Sequence, residues 1–215
     1  VYNELIQKFK DCSILLRTTV AKTEIIKLEY YEASRLGSHL SGHGGKTWVD
    51  EGALKTILKS KKINTLIDIG CGPGGMVDYC NNIGIKSLGI DGDDSIIRSN
   101  NKTFKIHDFT KGCFTTNETF DLGWCVEFLE HVDVKFTDNY FHTFKKCKYI
   151  FCTYAPKNKR GYHHVNTQDE NYWVKLFHKN KFKLDKELTE NVRKSSSIEK
   201  NFVRKHGLFF ENLKI

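Results

Sequence analysis

The stretch Asn64-Thr65-Leu66-Ile67-Asp68-Ile69-Gly70-Cys71-Gly72-Pro73-Gly74-Gly75 decides the fold. Its first half, Asn64–Ile69, is a short apolar run with β-branched residues, which reads as a buried strand. Its second half carries four glycines in six residues, which break the strand and let the backbone turn sharply. A helix is predicted from about Gly75 to Asn82. Outward from there the alternation continues, with strands predicted at Lys86–Ile90, Thr103–His107, Phe120–Val126 and Lys148–Tyr154. Helices are predicted at Asp93–Asn101 and around Phe136–Cys147, and Thr47-x-x-Asp50 resembles a capping box opening a helix to about Ser60. Thr167-x-x-Glu170 caps a helix carrying Tyr172, Trp173, Leu176 and Phe177, and Phe182–Leu188 and His206–Leu213 close the chain as strands. Short apolar strands alternating with helices imply an α/β fold, a doubly wound and largely parallel sheet covered on both faces. Ligands then bind beyond the carboxyl ends of the strands, where the strand order reverses.

The glycine loop lies at such an end. Gly70, Gly72 and Gly75 satisfy the spacing of a dinucleotide fingerprint, and Asp91, at the end of the second strand, can take two ribose hydroxyls. Two details argue against a dinucleotide. Asp68 would face a pyrophosphate that it repels, and Pro73 removes an amide donor that a pyrophosphate would want. A carboxylate here suits a ligand with an ammonium group and no phosphate.

In these residues the chain resembles the class I S-adenosylmethionine-dependent methyltransferases, over about residues 46–213. Asp68-x-Gly70-x-Gly72-x-Gly74 is similar to their first motif, and Leu88-Gly89-Ile90-Asp91 to their acidic second motif. His107-Asp108-Phe109 is similar to the position where an acidic residue meets the adenine amino group. The run Asp121–Val132 resembles the fourth-strand motif of the small-molecule branch. The resemblance implies a Rossmann-like sheet of seven strands, mostly parallel, with an antiparallel last strand. It also implies S-adenosyl-L-methionine as cofactor, held by Asp68, Gly70, Cys71, Gly72, Gly74, Asp91, Gly92, Asp108 and Phe109. Cys71 is expected to fill space rather than react, and Asp93 and Asp94 to start a helix.

Methyl transfer from a sulfonium needs in-line placement of the acceptor, and a hydroxyl acceptor must also lose its proton. Glu127, His131 and His163 are the candidates for substrate or proton handling. If a helix begins at Glu127, then Glu127, Glu130 and His131 share one face. With His163 or His164 they make a candidate magnesium or manganese site. That Glu-x-x-Glu-His arrangement is similar to two metal-using relatives, the quinone-ring O-methyltransferases and the small-RNA 3′-terminal 2′-O-methyltransferases. The other reading is that the pair only caps and packs its loop. The sequence lacks the Asn/Asp-Pro-Pro-Tyr loop of amino-methylating DNA enzymes and the Pro-Cys pair of cytosine-carbon enzymes, and matches the cap 2′-O-methylating Lys-Asp-Lys-Glu tetrad poorly. A small-molecule or glycan hydroxyl is therefore the expected acceptor. The alternatives are a metal-assisted RNA 2′-O-methyltransferase, with Lys157, Lys159 and Arg160 on phosphates, and a catalytically silent cofactor-binding subunit.

Composition is consistent with this. The chain has 215 residues with 39% hydrophobic and 13% aromatic, enough for a full core. Its net charge of +8 comes from 28 Lys and 6 Arg spread along the chain, which suggests a solvated surface more than a nucleic-acid footprint. Seven cysteines without a CxxC pair, and no apolar run long enough for a membrane span, point to a cytoplasmic protein. Apolar residues at helical spacing between Asn3 and Leu36 predict one or two helices. Gly37–Gly45, with His39 and His43, follows as a mobile connection of the kind that forms lids. The expected division is a helical cover and glycine-rich lid over 1–45 and the methyltransferase domain over 46–215.

Overall fold

The computed structural model describes residue 40 and residues 45–98 and 102–215. The expected N-terminal helices, His39 and His43 lie outside the described residues. The described elements are α1 (Glu51–Ser60), β1 (Thr65–Ile69), α2 (Gly75–Asn82), β2 (Lys86–Asp91), β3 (Phe104–Ile106), β4 (Phe120–Cys125), α3 (Thr137–Phe144), β5 (Cys147–Thr153), α4 (Glu170–Lys179), β6 (Phe182–Leu184), α5 (Lys186–Ser195), α6 (Phe202–His206) and β7 (Gly207–Asn212).

The strands form one seven-stranded sheet in the order β3-β2-β1-β4-β5-β7-β6. Strands β1 to β5 pair in parallel, and β7 runs antiparallel to both β5 and β6. This is the Rossmann-like α/β sheet with a reversed last strand. The order turns back on itself between β1 and β4, so the carboxyl ends of β1, β2, β4 and β5 share one edge. Asp68, Asp91, Glu127 and Tyr154 lie on or just past that edge.

The period of two along each strand divides the core between the two faces. Ile150 and Cys152 of β5 and Leu208 and Phe210 of β7 join one cluster, while Phe151 and Phe209 between them join the other. On the first face α3 and α4 bring Tyr140, Phe141, Phe144, Trp173 and Phe177, and the Phe177 ring stacks on Phe210 at 3.9 Å and 3°. On the second, Leu54 and Ile57 of α1 meet Leu188 and Val192 of α5. Both faces are apolar throughout, as expected for a parallel sheet.

Five local expectations are corrected. Helix α4 has Asp169, not Thr167, at its N-cap, and no side chain caps it. Helix α1 is capped by Asp50, whose carboxylate accepts from the Ala53 amide at 3.0 Å, while the Thr47 hydroxyl instead accepts from the Gly75 amide at 3.0 Å. Residues 93–98 form turns and coil, not helix, because Asp93 folds back onto the amide and hydroxyl of Ser95 at 2.8 and 2.6 Å. No α-helix begins at Glu127; Leu129–His131 is a single 3₁₀ turn. The strand predicted to reach Leu188 stops at Leu184, and Asp185 caps α5 by accepting from the Leu188 amide at 2.9 Å.

Candidate active site

The glycine loop is held by the neighbouring strand. The amides of Gly70 and Cys71 both donate to the Ile90 carbonyl, at 2.9 and 3.1 Å, and the Gly72 amide donates to Asp91 Oδ2 at 2.8 Å. Gly70, Gly72 and Gly74 have φ of +76°, +51° and +89°, the left-handed region that side chains disfavour. Gly74 is also required by contact, since a Cβ there would lie 2.2 Å from the Phe104 ring. Around Gly72 nothing but the Lys46 carbonyl, at 3.8 Å, comes near a Cβ position. That space is open toward a ligand.

Asp91 is fixed before any ligand arrives. Besides Gly72, its carboxylate accepts from the Asp93 amide at 2.9 Å, and Arg98 Nη2 lies 3.6 Å away. Arg98 is buried and donates to the Gly72 carbonyl at 3.0 Å and to the Asp93 carbonyl at 3.1 Å. It therefore ties the glycine loop to the turn after β2, where Gly92 lies, and places a positive charge beside the candidate ribose carboxylate. The sequence reading missed it, because a lone arginine in a turn carries no motif. Asp68 is 5% exposed, and burial first, with the Asp91 charge second, pushes its carboxyl up to about 8. It is an acid in need of a cation. Burial likewise pushes the Cys71 thiol well above its ordinary value, which fits a space-filling role.

At the end of β3, Asp108 caps its own turn, accepting from the amide and hydroxyl of Thr110 at 2.8 and 2.7 Å. Phe109 is buried, edge-on to His107 and Phe128 at 4.8 and 5.5 Å between ring centroids. Phe128 is also the side chain that a Cβ at Gly70 would strike, at 2.5 Å. The glycine loop and the loop after β4 are thus in direct contact.

That second loop is strained. Glu127 has φ of +54°, held by its amide donating to the Thr153 hydroxyl at the end of β5, at 2.8 Å. A non-glycine residue kept in this region at a strand end marks a place where the side chain's direction is fixed by its surroundings. Glu130 is 1% exposed, and neither carboxylate oxygen has a hydrogen-bond partner. Burial, and after it the Glu127 charge, raises Glu130 well above the carboxylate range, and burial raises Glu127 too. One proton between the two carboxyls relieves both. His131 is driven the other way: burial, then the charges of His164 and His163, lower it to about 4, so its imidazole is neutral at pH 7.

One ligand atom each of Glu130, His131 and His164 lies within 4.8 Å of the others, and the two rings sit edge-to-face at 5.1 Å. The third member of this group is His164; His163, at φ of +45°, and Glu127 are not part of it. His164 is seated by its Nδ1 against the Lys159 carbonyl at 3.1 Å, over the open face of Gly161. The Glu130 carbonyl in turn accepts from the amides of Val165 and Asn166, at 2.9 and 3.1 Å, joining the loop after β5 to the loop after β4.

Residues 67–148 match the sequence pattern of a family described as a methyltransferase domain. No curated protein matches the chain. Among solved structures it is similar to the magnesium protoporphyrin IX methyltransferase of Synechocystis PCC 6803 with bound S-adenosylhomocysteine, at 13% identity and a TM-score of 0.54, covering 90% of this chain and 97% of that one. It is also similar to the N-methyltransferase NodS of Bradyrhizobium japonicum WM9 in complex with S-adenosylhomocysteine (16% identity, TM-score 0.53, 75% and 84% covered). A third is the plantazolicin methyltransferase BpumL, again with S-adenosylhomocysteine (13%, TM-score 0.51, 97% and 99% covered). At these identities the structures speak for the fold. The sequence pattern over β1 to β5, running from the glycine loop through Asp91 to the Glu127 loop, speaks for the chemistry. Residues 67–148 thus carry the sequence pattern of a methyltransferase domain, on a fold shared with methyltransferases that bind S-adenosylhomocysteine.

Proposed function

We propose that this enzyme moves the methyl group of S-adenosyl-L-methionine to a hydroxyl of a small molecule or sugar seated against the loop after β4. The observation that carries this reading is the pairing of a neutral, half-buried His131 with two proton-hungry carboxyls, Glu127 and Glu130, beside the glycine loop. Such groups serve an acceptor that must lose a proton as the new bond forms. In the reaction the acceptor oxygen attacks the methyl carbon in line, the carbon–sulfur bond breaks with its electron pair going to sulfur, and the hydroxyl proton passes to His131 or to Glu127. S-adenosylhomocysteine leaves. Asp68 meets the ammonium of the cofactor's methionine end, Gly70, Gly72 and Gly74 leave room for its backbone, and Asp91 takes the ribose. Asp108 and Phe109 border the adenine, and His163 borders the acceptor.

A specific observation favours a second component. Glu130, with two unpartnered buried oxygens, lies beside the neutral His131 and His164, a donor set that fits a divalent cation such as magnesium or manganese. Such a cation, when bound, lowers the pKa of an acceptor hydroxyl. The chain's own part is to hold the three donors: Lys159 and Gly161 seat His164, and the 3₁₀ turn sets Glu130 next to His131.

The test is transfer of labelled methyl from S-adenosyl-L-methionine to a panel of hydroxyl, amine and thiol acceptors, with manganese or with chelator. Transfer to a hydroxyl is expected, and His131→Asn should cut kcat by about a hundredfold or more, the usual scale for a lost acid or base, with S-adenosylhomocysteine affinity retained. Transfer restricted to amines, or full activity in His131→Asn and Glu127→Gln, contradicts the reading. Manganese binding by wild type that His164→Ala abolishes supports the cation; indifference to chelator with no manganese bound rejects it.

A further inference from the structure

We propose that the acceptor carries a phosphate ester, held at the rim of the site by Lys157, Lys159 and Arg160. This rests on the reading of the same site as a methyl-transfer centre and names its substrate class. The chain is rich in lysine everywhere, but these three cations differ from the other clusters in their partners. The cluster at Lys59, Lys61 and Lys62 gives Lys61 to Asp185 at 3.4 Å, and the cluster at Lys145, Lys146 and Lys148 gives Lys148 to Asp121 at 2.6 Å. Among the described residues, Lys157, Lys159 and Arg160 form no ion pair, and all three are exposed.

The segment that carries them is built, not loose. The Lys159 amide donates to the Pro156 carbonyl at 3.0 Å across a turn in which Asn158 takes φ of +65°. The Lys159 carbonyl then meets His164 Nδ1, so the turn is fastened to the Glu130–His131–His164 group itself.

Charge from this turn also reaches beyond the end of β5. His206, whose ring faces Tyr154 at 5.2 Å, is held below its ordinary value by burial and then by Arg193, Lys205 and Lys159, with Glu170 the opposing charge. Cations of α5, α6 and the turn after β5 therefore overlap at one point beyond the strand. Arg193 among them is balanced by Glu170 at 2.7 Å and Glu190 at 3.0 Å, which leaves the cations of the turn after β5 exposed and open to a ligand. Three exposed, unpaired cations on a turn fastened beside the Glu130–His131–His164 group suit a hydroxyl compound whose anionic group sits a short distance from the methylated oxygen. A phosphate ester has that shape, and Arg160 can grip it with two parallel donors.

The experiment uses the full chain and, as probe, a labelled ten-nucleotide single strand of RNA with a 5′-phosphate, with ribose 5-phosphate as competitor. Each phosphate neutralised on a single strand contributes about −0.7 to the slope of log K against log salt. Three contacts then weaken binding about 20-fold between about 50 and about 200 mM salt. The variant Lys157→Ala/Lys159→Ala/Arg160→Ala should lose that dependence, while Lys59→Ala/Lys62→Ala/Lys145→Ala, which removes equal charge elsewhere, should keep it. Equal losses in the two variants would reduce the effect to net charge and overturn the proposal, as would a probe affinity that neither variant changes. Displacement of the probe by ribose 5-phosphate identifies a small ester, and its failure to displace identifies a strand. S-adenosylhomocysteine binding is measured on each variant: its loss in wild type would sink the methyltransferase site, whereas intact binding with an indifferent probe sinks only the phosphate rim.

Discussion

Gly72→Ala separates a glycine kept for the fold from one kept for a ligand. At Gly72 the φ of +51° is compatible with alanine at a cost of about 1 kcal/mol, and the added Cβ meets nothing closer than 3.8 Å. For a domain of this size that is a Tm decrease of about 2–4 °C. At Gly74 the same backbone cost applies at φ of +89°, and the Cβ would fall 2.2 and 2.3 Å from two Phe104 ring carbons. Overpacking of that kind adds about 1–3 kcal/mol, so Gly74→Ala should unfold about 4–16 °C early. Binding should reverse the order of surprise. On the proposed reading the cofactor backbone passes in front of Gly72, so a methyl group there should weaken S-adenosylhomocysteine by about 5- to 100-fold, the equivalent of about 1–3 kcal/mol. The assays are thermal unfolding without ligand and calorimetric titration with S-adenosylhomocysteine. Gly72→Ala with wild-type affinity would refute the placement of the cofactor, and Gly72→Ala as unstable as Gly74→Ala would refute the packing argument.

Proton linkage gives a second expectation. Asp68 holds its proton up to about pH 8 in the free protein, and a bound ammonium favours its ionised form. Binding at pH 7 should therefore release protons, visible as a binding enthalpy that varies with buffer, and affinity should rise with pH until about 8. In the free protein the sign is opposite: the folded state keeps a proton the unfolded state has lost, so this group's contribution to stability falls as pH rises from about 4 to about 8. Asp68→Asn should abolish both effects. A third expectation concerns Asp50, which is 1% exposed and accepts from Ala53 and Ser197 amides at 3.0 and 2.9 Å and from the Ser196 hydroxyl at 2.5 Å. Asp50→Ala removes the cap of α1 and its bond to the segment after α5, and should cost about 3 kcal/mol, a Tm drop of about 6–12 °C. Chemical denaturation that shows less than about 1 kcal/mol would contradict it.

How much of this was legible beforehand follows from what each residue signals. Strands β1, β2, β4 and β5 are buried on both faces, so their apolar runs stand out, and the glycine loop between β1 and α2 announces itself. Helix α5 does not. Its buried residues are only Leu188, Thr189 and Val192, and Leu184 and Leu188 at its start read as the tail of a strand. The cap at Asp185 was the signal to use. At the site, sequence points to Asp91 and to the Glu127–His131 segment, because residue type and spacing carry that information. Direction is what it leaves out. The positive φ at Glu127 comes from the Thr153 hydroxyl on a neighbouring strand, and the choice of His164 over His163 comes from the Lys159 carbonyl and the bare face of Gly161. Arg98 matters through two backbone carbonyls, which no side-chain pattern encodes.

The most direct test of the central claim is calorimetric titration with S-adenosylhomocysteine and, separately, with NAD, repeated on Asp91→Ala. Micromolar binding of S-adenosylhomocysteine, none of NAD, and loss of the former in Asp91→Ala is the expected result. Binding of NAD alone, or S-adenosylhomocysteine binding indifferent to Asp91, would contradict a methyl-donor site at the glycine loop.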